Sequence, residues 1–370
     1  MKSKIKVLHV VPCLGSGGIE NLLLNHCKNI NNNKFEFSFA AQEIKGLVAQ
    51  ELQEMGCKIY KIERLTVSPL LYIFNFVKIL KNKKYDIIHI HQGIYSVPAL
   101  LISYICGYKV RIVHNHFNIP EKEGILKYFI KLLELLTAKF GTHFIACSVK
   151  SAKSFLGNKF YSDNKVEIIN NGISISEFCI KPNIVNVLEL KKSLGLHNKY
   201  NIIMVARFSP EKNHEFAFEV FSKLYSKSKD FNFILVGDGL LFEYYKSKVI
   251  NSNIGHSCYF LGSRNDVNNI INLADIVILP SLQEGFGIVA LEAQLANVRC
   301  LVSDRVPNEI RLTPLLEHLP LEYGSDYWAD KIYSMIPFPK NKDISEKIFN
   351  EYDIKFTTKK IEYLYSKLLK

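Results

Sequence analysis

Residues 274–293 read ADIVILPSLQEGFGIVALEA, and this stretch decides the fold of the second half of the chain. Its apolar run Ile276–Leu279 predicts a buried strand that ends at Pro280. A short glycine turn follows, and an apolar helix begins behind it. Glycines let main-chain N–H groups approach a ligand closely, and the N-terminus of a helix favours an anion. The stretch therefore predicts a strand–turn–helix unit with an anion site at its turn.

Two carboxylates flank this anion site. Glu284 lies in the turn, and Glu292 follows eight residues later on the helix. Because a carboxylate only accepts hydrogen bonds, it binds sugar hydroxyls well and phosphate poorly. We interpret the arrangement as a site for a ligand that carries both phosphates and sugars, such as a nucleotide-sugar. The spacing of the two Glu residues is by itself also compatible with an alternative, an ordinary strand–turn–helix unit that carries two solvated Glu side chains.

The segment EGFGIVALEA, residues 284–293, resembles the E-x7-E signature of the retaining glycosyltransferases of family 4, which have the GT-B fold. The resemblance implies that Glu284 lies beside the donor sugar and that Glu292 binds the ribose hydroxyls. It also implies that the turn between them, Gly285, Phe286 and Gly287, belongs to the donor site. The GGIE turn and the HNH stretch are similar to those of bacterial capsular and exopolysaccharide glycosyltransferases.

Length and composition indicate a globular protein of two domains. The chain has 370 residues, of which 48% are hydrophobic and 22% charged. We find no apolar run of the length that spans a bilayer. The eight cysteines are scattered and form no CxxC pair, so neither a disulfide framework nor a cysteine metal site is expected. A reducing, cytoplasmic location fits this cysteine pattern.

The basic residues are concentrated in the first half. The net charge is +12, and residues 1–180 carry 23 Lys and Arg against 13 Asp and Glu, whereas residues 181–370 carry 24 against 22. A positive face attracts nucleic acid, anionic lipid or a phosphorylated substrate. The segment 122–140, KEGILKYFIKLLELLTAKF, predicts a basic amphipathic helix with Lys122, Lys127, Lys131 and Lys139 on its polar side. Such a helix lies in a membrane interface or packs on the sheet, and the two can coexist.

Strand-like runs alternate with helical patterns along the whole chain, which predicts βα units with mainly parallel sheets. In the first half the predicted strands are Lys4–Val11, Phe35–Ala41, Ile87–Ile90, Val110–Val113, His143–Cys147 and Val166–Ile169. In the second half they are Tyr200–Val205, Asn232–Val236, Cys258–Leu261, Ile276–Leu279 and Arg299–Val302. A polar stretch at 171–186 predicts a linker.

We therefore predict an α/β fold with two doubly wound, Rossmann-like domains and an interdomain cleft. The N-terminal, acceptor-side domain is expected at residues 1–175 and the nucleotide-sugar-binding domain at residues 183–354. Ligands of such sheets bind outside the carboxyl ends of the strands. The resemblance implies in addition that a C-terminal helix, residues 355–370, returns to the first domain.

The turn GSGGIE, residues 15–20, follows the first strand and opens a helix, which is the setting of a main-chain phosphate site. It is not GxGxxG, and no acidic residue follows at the position that marks a dinucleotide ribose, so a dehydrogenase is disfavoured. A tight turn without a ligand is the alternative. The resemblance implies that Gly17 and Gly18 lie against the donor diphosphate and the acceptor.

Two cations follow the strand that ends at Val205. Arg207 offers bidentate contact to phosphate, and Lys212 offers a mobile charge five residues later. Together they can neutralise a leaving diphosphate, although a surface pair of salt-bridging residues is the alternative. The stretch resembles the GR-x4-K motif of the family, with Ala206 where glycine is usual.

Two more glycine turns follow strands of the second half. VGDG at 236–239 resembles the VGDGP turn of the family, with Leu240 in place of Pro, and LGSR at 261–264 resembles the stretch whose backbone meets the nucleobase. The resemblance therefore places Gly237 and Arg264 in the donor site. Glycines chosen only for tight turns are the alternative.

Four histidines lie at predicted strand ends: His89, His91, His114 and His116. The pairs HIH and HNH suggest a metal site, because alternate residues of a strand share a face, but this spacing does not guarantee tetrahedral geometry. The resemblance implies that no metal is needed and that His114 touches the donor sugar. A hydrogen-bonded packing role is the alternative for each of them.

The chain is thus identified as similar to retaining, metal-independent glycosyltransferases, with a UDP-sugar as the expected donor. The resemblance implies His114, Glu284, Arg207 and Lys212 as catalytic residues and transfer of a hexosyl or N-acetylhexosaminyl group, with no cofactor. It implies a polyprenyl-diphosphate-linked or glycan acceptor and a cytoplasmic enzyme at the inner face of an anionic membrane. The alternatives are a sugar-nucleotide epimerase, a basic nucleic-acid-binding protein and an inactive lectin-like binder.

Overall fold

The structure is a computed structural model that describes residues 4–15, 17–117, 124–175, 184–196, 199–264, 266–338 and 351–370. The chain divides into two compact units. Unit 1 comprises residues 1–173 and 351–370, and unit 2 comprises residues 174–350. Each unit is built on one sheet of parallel strands.

The sheet of unit 1 has seven strands in the order β3-β2-β1-β4-β5-β6-β7. They are β1 (Ile5–Leu14), β2 (Phe35–Ile44), β3 (Lys58–Lys61), β4 (Ile87–Ile90), β5 (Val110–Asn115), β6 (His143–Ala146) and β7 (Val166–Ile168). Because the strand order reverses between β1 and β4, the carboxyl ends of these two strands form the switch point where doubly wound sheets bind ligands.

Helices cover both faces of this sheet. They are α1 (Gly18–Asn29), α2 (Leu47–Glu54), α3 (Pro69–Asn82), α4 (Val97–Ile105), α5 (Ile125–Phe140), α6 (Val149–Leu156), α7 (Asn158–Ser162) and α14 (Ile354–Leu368). One core contains side chains of α1, α2 and α14, and the core of the opposite face contains side chains of α3, α4 and α6. The last helix belongs to unit 1 because Tyr365 is fully buried in the first core and Thr358 bonds His26 of α1 at 2.8 Å.

The sheet of unit 2 has six strands in the order β10-β9-β8-β11-β12-β13. They are β8 (Tyr200–Val205), β9 (Phe231–Val236), β10 (Cys258–Phe260), β11 (Ile276–Leu279), β12 (Arg299–Ser303) and β13 (Leu316–Leu319). The helices are α8 (Ile184–Ser193), α9 (His214–Lys227), α10 (Phe242–Ile250), α11 (Val267–Asn272), α12 (Ile288–Leu295) and α13 (Gly324–Ser334). Its switch point lies between β8 and β11.

Short 3-10 turns complete the connections, at Gly93–Ser96, Pro210–Lys212, Gly255–Ser257, Asn308–Ile310 and Leu321–Tyr323. The central strands are long apolar runs because both faces of a parallel sheet are covered. All four residues of β11 are buried, as are all six of β9. No helix among the described residues is both long and apolar enough to cross a membrane.

The two doubly wound sheets confirm the predicted fold class, and the strands named from the sequence are all present with ends shifted by a few residues. The edge strands β3 and β13 were not predicted. Each has only four residues and exposes part of its surface, so neither forms the continuous apolar run of a central strand. The predicted helix 122–140 is observed from Ile125, and Lys122 lies outside the described residues.

Candidate functional site

An ion pair joins the two turns at the switch point of unit 2. Lys212, in the turn after β8, places its Nζ 2.6 Å from Oε2 of Glu284, in the turn after β11. The two side chains are 21% and 15% exposed, so the pair is partly shielded yet open on one side. Ser281 donates a further hydrogen bond to the same carboxylate oxygen at 3.3 Å. The arrangement holds a cation and an acceptor group side by side where a ligand is expected.

Hydrogen bonds to main-chain carbonyls hold these two turns together. Asn213 takes the left-handed conformation at φ 57° and donates its side-chain amide to the carbonyl of Pro280 at 3.1 Å. The amide of Leu282 donates to the carbonyl of Glu211 at 2.8 Å. Because both bonds bridge the turns after β8 and β11, the position of Lys212 relative to Glu284 is set by the backbone.

The turn after β9 packs directly on the backbone of the turn after β8. Gly237 has φ 136°, and a Cβ placed there would clash with the carbonyl of Ala206. Gly239 has φ 153°, and its Cβ would lie 2.5 Å from the carbonyl oxygen of Phe208. Only glycine satisfies both the backbone angle and the close approach. The structure therefore brings Gly237 next to the segment that carries Arg207.

Arg207 and Arg264 have different surroundings. Arg207 is exposed in the turn after β8, on the segment that leads to Lys212. Arg264 makes two hydrogen bonds of 2.7 Å to the carboxylate of Asp266, and this fork holds the pKa of Asp266 below its usual value. The main-chain amide of Gly237 donates to the carbonyl of Gly262 at 2.8 Å, so the turn after β10 also reaches the cluster. The guanidinium of Arg264 is thus engaged within its own turn.

The glycine turn before α12 is folded around a buried phenylalanine. Phe286 is 3% exposed, and Gly287 begins the helix at φ 90°. A Cβ on Gly287 would lie 3.6 Å from Cγ of Glu284, so the helix N-terminus and the ion pair are neighbours. Glu292 lies on α12 and is half-buried. A helix start beside Lys212 gives this corner a positive potential.

Two contributors to this corner were not predicted from the sequence. Ser281, which is fully buried, bonds Glu284 as described above. His214 stacks on Phe208 at a centroid distance of 4.0 Å, and its pKa is lowered to about 4 by burial and by the charge of Lys212. The sequence position of Ser281, directly after the strand end at Pro280, could have indicated that it belongs to the site. No local sequence pattern indicates this for His214.

In unit 1 the predicted residues lie at the carboxyl ends of β1 and β5. Gly17 is the residue before the first turn of α1, and it has no side chain that could cap the amides of that turn. Gly18, the first residue of the helix, is exposed. His114 is 2% exposed, and both of its ring nitrogens are buried. Burial, assisted by neighbouring imidazoles, holds the pKa of His114 well below its usual value, so the ring is neutral. Its predicted contact with a donor sugar stays a prediction.

The structure thus brings Lys212, Glu284, Gly237 and Gly287 together in unit 2, with Arg207 on the same turn as Lys212. Such a corner can bind an anion with its cations and amides and accept hydrogen bonds from hydroxyls with its carboxylate. Gly17, Gly18 and His114 belong to unit 1.

Models of two protein families match the chain. The model described as Glycosyltransferase Family 4 matches residues 16–177, and the one described as Glycosyl transferases group 1 matches residues 186–311. Together they span most of both units.

Full-length relatives carry similar descriptions. The chain is 26% identical to the UDP-Gal:alpha-D-GlcNAc-diphosphoundecaprenol alpha-1,3-galactosyltransferase of Escherichia coli, over 98% of this chain and 97% of that protein. It is 26% identical to the capsular polysaccharide biosynthesis glycosyltransferase CapH of Staphylococcus aureus, over 98% of each. Anabaena Alr3699/HepE, solved with UDP and glucose, superposes with a TM-score of 0.79 at 20% identity over 98% of this chain and 99% of that one. At this identity the structural likeness shows the fold alone.

Proposed function

Because the chain belongs to the family 4 glycosyltransferases and has their GT-B fold, we propose that it transfers a sugar from a UDP-sugar to a polyprenyl-diphosphate-linked glycan, with retention of the anomeric configuration. The family match favours transfer over the epimerase and nucleic-acid-binding alternatives. The names of two relatives support a UDP-sugar as the donor and a lipid-linked glycan as the acceptor. One relative is a UDP-galactose enzyme with a diphosphoundecaprenol acceptor, and the other is a capsule enzyme. The transferred group is a hexosyl or N-acetylhexosaminyl group in this proposal.

The observation that carries the proposal is the ion pair of Lys212 with Glu284 at the switch point of unit 2. An ammonium has three N–H donors, so Lys212 can bond the carboxylate and a phosphate oxygen together. The exposed guanidinium of Arg207 and the amides at the start of α12 add positive charge for the same diphosphate. Stabilising the charge that develops on a leaving diphosphate is the largest catalytic requirement of this reaction.

The carboxylates orient the rest of the donor in this proposal. Glu284 accepts a hydrogen bond from a hydroxyl of the transferred sugar, and Glu292 accepts those of the ribose. The leaving phosphate takes the proton of the acceptor hydroxyl on the same face of the sugar, so no covalent nucleophile is required. Because Arg207, Lys212 and main-chain amides neutralise the diphosphate, transfer proceeds without a divalent cation or other cofactor.

An exposed apolar surface on unit 1 supports docking to an anionic membrane, where a lipid-linked acceptor resides. On α5, Ile125 is 89% exposed and Tyr128 75% exposed, and Lys127, Lys131 and Lys139 accompany them. Leu70 of α3 and Ile105 of α4 are about as exposed as Tyr128, and the two helices pack beside one another on the same face of the sheet. Amphipathic helices with lysines on the polar side bind anionic interfaces. We place the enzyme at the cytoplasmic face of the membrane.

A panel of nucleotide-sugars tests the donor. The chain is incubated with UDP-, GDP- and ADP-linked hexoses and N-acetylhexosamines, and thermal stabilisation and hydrolysis are measured. We expect UDP-sugars alone to raise Tm and to be hydrolysed, at a rate that added Mg²⁺ or Mn²⁺ leaves unchanged. Stabilisation by none of the nucleotide-sugars, or hydrolysis only after a divalent cation is added, contradicts the proposal.

A further inference from the structure

Six of the eleven histidines of the chain are buried together in unit 1. They come from β1, α1, β4 and β5 and from the residues that follow β4 and β5, and none is more than 6% exposed: His9, His26, His89, His91, His114 and His116. Five of these rings form a continuous group with centroid distances between neighbours of 3.8 to 5.5 Å. The register explains this, because His9 pairs directly with His89 across β1 and β4, and alternate residues of a strand share a face.

A chain of hydrogen bonds assigns the protons of three of these rings. His116 Nδ1 lies 3.3 Å from Oδ1 of Asn171, which only accepts, so this nitrogen carries the proton. His116 Nε2 therefore accepts from Nδ1 of His91 at 2.9 Å, and His91 Nε2 accepts from Nδ1 of His9 at 3.0 Å. His9 Nε2 is left with a lone pair that faces no partner within the described ranges. In these tautomers each ring has one N–H and one lone pair.

Two further rings present unused nitrogens. His89 bonds the hydroxyl of Tyr365 through Nδ1 at 2.6 Å, and its Nε2 has no partner in the described part of the chain. Among the residues that the structure describes, His114 has no partner at either nitrogen. A cavity of about 10 Å³ has room for about one atom. It is lined by four of these histidines together with His26, Tyr365 and four apolar side chains: His9, His89, His91, His114, Leu22, Leu23, Phe37 and Ile361. Buried polar nitrogens that lack partners require an occupant or a reason.

We propose that this cavity binds one divalent transition-metal ion of the zinc type through His9, His89 and His91. The nitrogens of these three residues lie within 4.8 Å of one another, a spacing that a small ring movement closes around one ion. His91, His114 and His116 form a second group of the same kind, but His116 does not line the cavity and is held by Asn171. To bind the ion, His9 moves its proton from Nδ1 to Nε2, which frees the lone pairs of His9 Nδ1 and His91 Nε2. His89 adds the unused lone pair of its Nε2.

The chemistry of the lining selects this class of ion. Neutral imidazoles suit Zn²⁺, Co²⁺, Ni²⁺ and Cu²⁺, whereas Mg²⁺ and Ca²⁺ prefer oxygen ligands. A single water molecule is the competing occupant. Elemental analysis of the loaded chain distinguishes an ion from water. The hydroxyl of Tyr365 on His89 is an outer partner of the kind that orients metal-binding imidazoles.

The ion would act on unit 1 as a structural element, because it joins β1 to β4 beneath α1 and α14. The proposal does not depend on the donor site of unit 2. The two proposals can be refuted independently. UDP binding to the metal-free chain tests the donor site, and the metal content of the chain tests the histidine site.

Metal loading of the full-length chain tests the proposal. The chain is stripped with a chelator, dialysed against buffered Zn²⁺ or Co²⁺ and analysed by elemental mass spectrometry. We expect one ion per chain and a rise in Tm on loading. The variants His9→Phe and His89→Phe keep an aromatic ring but lose the nitrogens, and we expect each to bind Zn²⁺ at least about 100-fold more weakly. His143→Gln, a half-buried histidine on β6 outside the group, should bind as the wild type does.

X-ray absorption of the loaded wild type decides the question even if a variant does not fold. We expect a shell of nitrogen ligands at about 2.0–2.1 Å with the multiple-scattering pattern of imidazole. Absence of a retained ion, a shell of oxygen or sulfur ligands, or folded variants that bind Zn²⁺ as tightly as the wild type would overturn the proposal.

Discussion

In unit 1, β1, β4 and β5 bring neutral, buried imidazoles together, whereas in unit 2 the turns after β8 and β11 hold a charged pair that is partly open to solvent. The two sheets have the same doubly wound order around their switch points. Burial accounts for the difference, because α1 and α14 cover the histidines of unit 1. Lys212 and Glu284 instead lie in turns beyond the strand ends, where charges keep part of their hydration.

The comparison teaches that topology places residues but does not determine their chemistry. The turns at the switch point of unit 2 hold a cation and a carboxylate that are partly exposed, whereas the strands at the switch point of unit 1 carry buried imidazoles. The predictions below test whether the chemistry of each region depends on the residues named for it.

The largest expected effect follows from removing the cation of unit 2. Lys212→Met should lower the transfer rate by about 10²–10³-fold, because a preorganised charge is lost from the leaving diphosphate. The control is Lys223→Met. Lys223 is an exposed residue of α9 whose Nζ lies 3.1 Å from Oδ1 of Asp326, and it is not part of the two turns. Single-turnover transfer is measured on both variants after their folding is checked by circular dichroism. A rate for Lys212→Met within twofold of the control would remove this residue from the mechanism.

The next effect concerns the backbone packing beneath that cation. Gly237→Ala should destabilise unit 2 by about 3 kcal/mol or more, because the new Cβ meets the carbonyl of Ala206 and the backbone angle is strained. Gly195→Ala is the matched control, since Gly195 has φ 64° but open space around it, and we expect a cost of about 1 kcal/mol. Urea unfolding measures both. If both variants lose the same free energy of unfolding, the close approach of the two turns does not contribute to the cost of Gly237→Ala.

The fold was predictable wherever an element carries its own signal. Buried central strands such as β11 are continuous apolar runs, so their positions follow from the sequence. The strand β13 reads LEHL, with its ends buried and its middle half-buried, and so has no such signal. It forms because it pairs with β12, from Cys300 opposite Leu316 to Ser303 opposite Leu319. Tertiary pairing, which a single sequence does not display, decides elements of this kind.

The residues of the site were also more predictable than their partners. Lys212 and Glu284 were both named from local motifs, but their ion pair joins positions 72 residues apart and depends on β8 lying next to β11. For the buried histidines, the alternation of side chains along a strand predicts that His89 and His91 share a face. That His9 joins them depends on the pairing of β1 with β4, which the sequence does not display. Arg264 was assigned to the donor, yet Asp266, two residues away, binds its guanidinium.

Membrane binding is expected to distinguish the surfaces of the two units. Exchanging Lys127, Lys131 and Lys139 of α5 for Gln should weaken binding to anionic vesicles by about 10- to 100-fold, because each lysine near the surface contributes about 1 kcal/mol and the pair of Lys131 with Glu134 reduces its share. Three exchanges in unit 2 serve as the control: Lys191→Gln, Lys192→Gln and Lys199→Gln. Sedimentation with vesicles containing anionic lipid measures the partition. Equal losses in both variants would indicate a general charge effect instead of a docking surface on unit 1.

The smallest effect concerns Glu292, which lies on the helix that follows the turn of Glu284 and is expected to serve nucleotide binding alone. Glu292→Ala should weaken UDP binding by about tenfold, the loss of a hydrogen bond to a charged group worth about 1.5 kcal/mol. Titration calorimetry with UDP and with 2′,3′-dideoxy-UDP isolates the ribose, because the wild type should prefer UDP and the variant should bind both equally. Glu219→Ala, an exposed position on α9, is the control and should keep the preference. If Glu292→Ala keeps it too, the carboxylate does not bind the ribose, and the charged corner of unit 2 is limited to the turns around Lys212.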